Sequence, residues 1–331
     1  MIFSIEQARV LDDTAVAYDG WIDALRRLGA LGPIMQWRTN SGREYLYERL
    51  GGRWGRSRGP RSPETEAIIQ HDTRERTALK REVEQRAARL DELAALYKAL
   101  RLPRLDPRFG AITREADKRG LLDVSLMVVG TNAMAAYEIE AQRRFFSESM
   151  TTTQDCDFAW CRAAQMAVAG STDGRHPIYS MLKAVDDTFT VNLERDYQAR
   201  NAAGYEFELL MGPSVALTLP ASEHLRPLRL PEQDWLLRGR RISHVVFDRS
   251  DDPVRLVVPD PRWMALHKLW LSDKPERNVN KVKKDHQQGA LLAHAVATHM
   301  RRSFPVDDAF LEEVPEELHQ YLRHFSVHGV A

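Results

Sequence analysis

Apolar and polar positions change their spacing several times along this 331-residue chain, and each change predicts a new element. Over residues 12–31 the apolar side chains recur at helical intervals. Tyr18, Trp21, Ile22, Leu25 and Leu28 share one side, as in a helix that buries a single face. The period drops to two in Gln36-Trp37-Arg38-Thr39 and Tyr45-Leu46-Tyr47, which flank the turn Asn40-Ser41-Gly42. A small antiparallel unit over residues 35–54 is therefore expected. Helical spacing returns over residues 73–100, with Leu79, Val83, Leu90, Leu93, Tyr97 and Leu100 as the seam. Leu102-Pro103-Arg104-Leu105-Asp106-Pro107 then reads as a linker.

Beyond it the pattern is strand, tight turn, helix. Ser125-Leu126-Met127-Val128-Val129 is a short apolar run closed by Gly130, and residues 133–145 are helix formers with a polar face. Alternation in Asp155-Cys156-Asp157-Phe158-Ala159-Trp160 predicts a strand, as it does in Gly204-Tyr205-Glu206-Phe207-Glu208-Leu209. Residues 242–247 and 254–258, around Asp248-Arg249-Ser250-Asp251-Asp252, predict a hairpin that extends the same sheet. Helices dominate the remainder. The fold class expected is α/β of the α+β kind, a mixed sheet flanked by helices. Residues 1–105 form a mainly helical region with a small β unit, 106–262 a catalytic α/β domain, and 263–331 a C-terminal helical region.

Composition narrows the partners. Hydrophobic residues make up 43% and charged residues 28%, ordinary globular usage, and Lys plus Arg equals Asp plus Glu at 47 each. Neutrality argues against a dedicated polyanion binder but allows a local basic patch. One is present in the glycine-rich stretch over residues 51–61, read as a loop, where Arg53, Arg56, Arg58 and Arg61 surround Trp54. Such a loop suits an RNA backbone and a stacked base, or is a solvated basic turn. The only cysteines are Cys156 and Cys161, which supply neither a disulfide framework nor a zinc motif. Glu6 and Arg9 interrupt the first ten residues and no stretch reaches membrane-spanning length, so a cytoplasmic protein is expected.

Candidate chemistry lies in the strand–turn–helix region. With Thr131 or Asn132 as N-cap, free backbone N–H groups after Gly130 would favour an anion, typically phosphate. Asp155 and Asp157 project from one strand face, where a divalent cation would relieve their repulsion, and hard oxygen ligands suit magnesium. Glu206 and Glu208 share a face of the later strand, and either can be a third ligand, with Glu208 preferred. Arg277, Lys281, Lys284 and Gln288, at intervals of four, three and four, fall on one helical stripe with Asp285 beside it. Such a stripe is either a solvated helix face or a site where an anion relieves the like charges. Lys268, next to His267, is a further phosphate candidate, on a helix where Trp263, Leu266 and Trp270 serve packing. His286, His294 and His299 lack the spacing of a zinc helix.

Residues 128–138 (Val-Val-Gly-Thr-Asn-Ala-Met-Ala-Ala-Tyr-Glu), Thr152-Thr153-Gln154-Asp155-Cys156-Asp157 and Gly204-Tyr205-Glu206-Phe207-Glu208-Leu209 together resemble the motifs of a bacterial nucleotidyltransferase-fold family of the DNA polymerase β-type superfamily. The likeness continues through Val258-Pro259-Asp260-Pro261-Arg262, His267-Lys268-Leu269 and Lys284-Asp285-His286-Gln287-Gln288, and more loosely back to Gly59-Pro60-Arg61-Ser62-Pro63-Glu64-Thr65-Glu66, so that it covers most of the chain. It implies a nucleotidyltransferase fold and transfer of an NMP group from a nucleoside triphosphate, ATP among them, to an acceptor. Two magnesium ions, or manganese in their place, would assist. By the same likeness Gly130 and Thr131 hold the triphosphate, Asp155 and Asp157 bind the metals, and Glu208 replaces the third carboxylate. The turn is Gly-Thr where the superfamily more often has Gly-Ser or Gly-Gly, and the third acid is glutamate where aspartate is usual. The acceptor is expected among RNA or tRNA, protein and small molecules. Two other classes fit parts of the pattern: a glycosyltransferase using Asp-x-Asp, and a non-catalytic nucleotide- or nucleic-acid-binding module.

Overall fold

The structure is a computed structural model that describes residues 2–122, 124–151, 153, 155–161, 177–215 and 224–326. Thr152 and Gln154 of the resemblance motif lie outside the described residues. The chain forms two compact units, one of Asp13–Leu93 and one of Met1–Asp12 with Ala94–Ala331.

The first helices begin earlier than apolar spacing alone predicts, because short capping sequences precede them. Helix α1 spans Ile5–Ala30. Its start is fixed by a reciprocal pair in which Gln7 N–H donates to Ser4 Oγ at 3.1 Å and Ser4 N–H to Gln7 Oε1 at 2.8 Å. Strands β1 (Ile34–Asn40), β2 (Arg43–Leu50) and β3 (Arg53–Pro60) follow. Helix α2, Pro63–Ala99, opens on proline after the same device, with Ser62 N–H donating to Thr65 Oγ1 at 2.9 Å.

The basic stretch expected to be a loop is instead the strand β3, antiparallel to β2. Its glycines explain the difference. Gly51 and Gly52 have φ +55° and +81°, the left-handed pair that a tight hairpin requires, and Arg53 onward returns along β2. Arg58 pairs with Glu48 at 2.6 Å and Arg61 with Glu44 at 2.6 Å, so two of the four arginines stitch the sheet. On one face Leu46 is fully buried. The other carries Tyr47 and Trp54 edge to face at 5.9 Å, with Arg38 over Trp54 at 5.3 Å and Arg49 over it at 5.5 Å.

The larger unit holds β4 (Arg104–Leu105), α3 (Pro107–Lys118), β5 (Leu126–Val128), a 3-10 turn at Gly130–Ala133 and α4 (Met134–Glu140). Next come α5 (Glu148–Thr151), β6 (Asp155–Trp160), α6 (Pro177–Val185), β7 (Thr190–Val191), β8 (Gln198–Arg200) and β9 (Glu206–Met211). Then follow β10 (Leu228–Arg229), α7 (Glu232–Leu236), β11 (Ile242–Asp248), β12 (Pro253–Val258), α8 (Pro261–Ser272), α9 (Val279–His299), α10 (Asp308–Glu313) and a 3-10 stretch at Glu316–Phe325.

The central sheet is mixed, in the order β5-β6-β9-β8-β7 with β10 also on β9. Strand β6 runs antiparallel to β5 and parallel to β9. Phe109, Phe158 and Phe207 stack beneath it at centroid distances of 5.9 and 5.5 Å. This is the expected α+β fold, a mixed sheet flanked by helices.

The β11–β12 hairpin forms where predicted but does not extend that sheet. It makes a separate three-stranded sheet in the order β12-β11-β4, because Phe247 and Asp248 pair with Arg104 and Leu105. The stretch read as a linker is therefore partly a strand. Asp248 at this junction is fully buried, and Arg114 neutralises it at 2.7 Å.

Candidate functional site

Strand pairing brings the predicted acids together. In β6 Cys156 and Phe158 are fully buried while Asp155 and Asp157 are half-buried on the opposite face. The parallel register then sets Glu206 beside Asp155 and Glu208 beside Asp157. Gln198 on β8, opposite Glu208, donates its amide to Glu208 Oε1 at 3.0 Å and Glu206 Oε2 at 3.2 Å. Nothing in the local pattern pointed to Gln198, because β8 is only three residues long and its register on β9 is a tertiary fact.

The Gly130 turn lies directly over these acids. Val129 N–H donates to the Asp157 carbonyl at 3.1 Å, and the Asn132 amide to the Asp155 carbonyl at 3.1 Å. Thr153 donates its hydroxyl to Asp155 Oδ1. Gly130 has φ +68°, and a Cβ there would stand 2.3 Å from Asp157 Oδ2. Only glycine allows so close an approach. Gly130→Ala is expected to cost more than about 1 kcal/mol of stability and to weaken nucleotide binding, as read by urea unfolding and ligand titration.

The helix cap differs from expectation. Thr131 and Asn132 lie inside a 3-10 turn whose N-cap is Val129, a residue with no side-chain acceptor to make a capping bond, and the Asn132 amide donates instead to the Asp155 carbonyl. Helix α4 begins at Met134 and ends at Glu140, short of residue 145. Gln142, at φ +52°, reverses the chain there, and the Glu138 carboxylate accepts from the N–H groups of Phe145 and Phe146 at 2.7 and 2.8 Å.

The cations divide into two groups. Lys281 Nζ meets Asp155 Oδ2 at 2.7 Å. Burial works against the Lys281 charge, but the bond to Asp155 raises its pKa overall. Burial likewise opposes ionisation of Asp155, and the Lys281 and Thr153 bonds outweigh it to lower that pKa. Arg277, expected on the stripe, precedes α9, which starts at Val279 with Asn278 as N-cap. Its guanidinium donates to Asp285 Oδ2 at 2.8 Å, while Lys268 Nζ donates to Asp285 Oδ1 at 2.9 Å. Asp285 is thus buried between two of the four phosphate candidates and balances them from within. Lys284 is half-buried, and burial followed by the nearby Lys268 charge lowers its pKa.

At the centre Asp157 carries the largest burden. Burial, then the Asp155 and Glu208 charges, push its pKa up to about 7. Glu208 is also raised, by burial first, although its bond from Gln198 opposes this. Among the described residues no three acid, histidine or cysteine side chains are already gathered tightly enough to close around an ion. Lys281 and Gln198 hold Asp155 and Glu208 instead.

His267, beside Lys268, is a packing residue, with its ring 5.7 Å from that of Trp235 and 6.3 Å from that of Trp270. Burial pushes its pKa down to about 3, so it stays neutral well below its ordinary value. A base with a depressed folded pKa contributes stability above its unfolded pKa of about 6.5 and loses it as pH falls toward 3. His267→Phe is therefore expected to flatten the loss of unfolding free energy between pH 7 and pH 4.5, measured by urea titration at both values.

No helix among the described residues is long and apolar enough to cross a membrane. No curated protein and no solved structure matches the sequence. A family profile described as Nucleotidyltransferase does match, over residues 108–315, a span that contains the glycine turn, both acid strands and α9. Glycosyl transfer loses ground to nucleotidyl transfer on that match, which implies a nucleoside triphosphate substrate. With nearly two thirds of its length matched, the chain belongs to the Nucleotidyltransferase family.

Proposed function

We propose that the protein moves an NMP group from a magnesium-bound nucleoside triphosphate to an acceptor, with Asp155, Asp157 and Glu208 as metal ligands. The carrying observation is the in-register placement of Asp157 beside Glu208 under Gly130. The residue types suit a hard divalent cation: three carboxylates share one face of the paired strands β6 and β9, and burial with the Asp155 and Glu208 charges raises the Asp157 pKa, a cost that a bound cation would offset. When bound, the metal pair would activate the attacking oxygen and offset charge on the departing pyrophosphate.

The chain's own residues do the positioning. Gly130 lets the turn approach the acids, and Thr131 stands beside it for the phosphates. Asn132 holds the turn to β6 through the Asp155 carbonyl. Gln198 orients Glu208 and Glu206. Lys281 and Lys284 contribute positive charge, and Lys281 must leave Asp155 when a metal takes that oxygen. Lys268 and Arg277, locked on Asp285, serve by holding α9 in place.

Incubation with each α-labelled triphosphate, magnesium and a cell extract tests the reading. Label on an acceptor supports it, and absence of label with all four triphosphates and either magnesium or manganese removes it.

The acceptor is read as RNA from the exposed face of β1–β3. Tyr47 and Trp54 with Arg38 and Arg49 offer rings for bases and charge for the backbone, and Arg53 and Arg56 extend the basic character. On this reading RNA affinity falls steeply with salt, and Trp54→Ala lowers it at fixed salt. Salt-insensitive RNA binding would eliminate RNA as the acceptor.

A further inference from the structure

A cavity of about 390 Å³ opens beside the acid site and is walled by Arg101, Arg104, Arg144 and Arg249, with Thr131, Asn132 and Thr153 on its inner side. The volume falls in the range of small-molecule pockets, about 300–1,000 Å³. Two carboxylates also line it, and both are committed elsewhere. Asp106 caps α3 and accepts from the Arg108 side chain at 3.1 Å. Glu138 accepts from two backbone N–H groups and pairs with Arg144 at 3.0 Å. No uncommitted acid therefore repels an incoming anion.

Arg104 and Arg144 are held in place rather than left to flex. Arg104 donates to the Asp248 carbonyl at 2.8 Å and pairs with Asp251. Arg144 donates to the Arg101 carbonyl at 2.8 Å, which ties two walls together. A guanidinium has five N–H donors, more than Arg104 uses in these bonds, and planar guanidinium groups match phosphate oxygens in pairs. The Arg101 side chain makes no ion pair or hydrogen bond among the described residues. On the inner side, Thr153 and Asn132 are the residues that bond Asp155. A ligand in the cavity thus reaches the reacting centre past Thr131.

We propose that this cavity is a phosphate-binding subsite of the transferase, taking the phosphates of a nucleotide or phosphorylated small molecule whose other end lies at Asp155 and Asp157. It rests on the reading of that centre as a nucleotidyl-transfer site. Arg101 and Arg104 precede residue 108, where the family match begins, so part of the subsite is supplied from outside the matched region.

Inorganic tripolyphosphate is the probe, titrated calorimetrically into the full chain and into the double variant Arg101→Ser with Arg249→Ser. The wild type is expected to bind, and the double variant at least tenfold more weakly. Repeating the titration with saturating non-hydrolysable triphosphate and magnesium separates the sources. Continued tripolyphosphate binding assigns the subsite to a phosphorylated acceptor. Competition, together with weaker triphosphate binding in the double variant, assigns it to the tail of the donor. Equal binding of both probes by the wild type and the double variant, or no tripolyphosphate binding at all, overturns the proposal. Asp157→Asn keeps the two failures apart, because it removes transfer while leaving tripolyphosphate binding in place.

Discussion

Asp157→Asn is expected to lower nucleotidyl transfer about a thousandfold or more, in the range seen when a charge-stabilising group is lost from a phosphoryl-transfer site. The residue is central by construction. It lies between Asp155 on its own strand and Glu208 on the next, under a glycine that leaves no room for a side chain. Asparagine keeps the shape and removes the charge, so the fold should survive. The same substitution has a second readout, in metal-free buffer. An aspartate ordinarily titrates near about 3.9, and burial with two neighbouring acids pushes Asp157 up to about 7. A raised folded pKa means that the contribution to stability is present at low pH and is lost as pH rises through about 7. The wild type without metal should therefore lose stability between about pH 4 and pH 7 relative to Asp157→Asn, and magnesium should restore it. Unfolding curves with chelator and with magnesium at pH 5 and pH 8 give the comparison. Transfer undiminished in the variant would sink the metal assignment, and a metal-free stability difference independent of pH would sink the account of Asp157.

The second large effect concerns folding. Asp285→Ala is expected to destabilise the protein by about 3–5 kcal/mol, the usual cost of leaving a buried ion without its partner. Lys268 is only 3% exposed at its side chain and has its ammonium on Asp285 at 2.9 Å, and Arg277 shares the same carboxylate. Burial works against the Asp285 charge, yet Lys268 and Arg277 lower its pKa on balance. Lys268→Met combined with Asp285→Leu should recover much of the loss, since an apolar pair of similar volume is often no worse than the buried ion pair. Denaturant unfolding decides between two roles for Lys268. A phosphate ligand would make Lys268→Met costly for nucleotide binding and cheap for stability. A structural ion gives the opposite result.

That cluster shows where sequence reasoning stops. The interval from Arg277 to Gln288 places four side chains on one stripe of any helix, and the one acid among them looks incidental. It becomes the anchor once α8 packs on α9 and brings Lys268 to it, a contact between residues seventeen apart that no periodicity encodes. The basic stretch with Gly51 and Gly52 misled for a related reason. Glycine pairs mark both loose loops and tight hairpins, and the choice depends on whether the next residues find a strand to pair with. Here β2 supplies one. The early starts of α1 and α2 were legible, in Ser4-Ile5-Glu6-Gln7 and Ser62-Pro63-Glu64-Thr65, because capping is local chemistry.

By itself the sequence determined the strand–turn–helix at Gly130, the common face of Asp155 and Asp157, and the pairing of an apolar with an acidic face around Glu208. Each follows from the two-residue period of a strand or from the one residue that tolerates positive φ, and neither depends on distant contacts. Tertiary structure alone decided that β6 and β9 lie parallel in a register that sets Glu208 against Asp157. It also decided that Gln198 spans the two glutamates, that Asp285 consumes two of the cations, and that four arginines from three separate stretches of chain wall one cavity. Those are facts of long-range pairing, set by which faces bury together once the whole chain has closed around its core, and charges far apart in sequence meet only then.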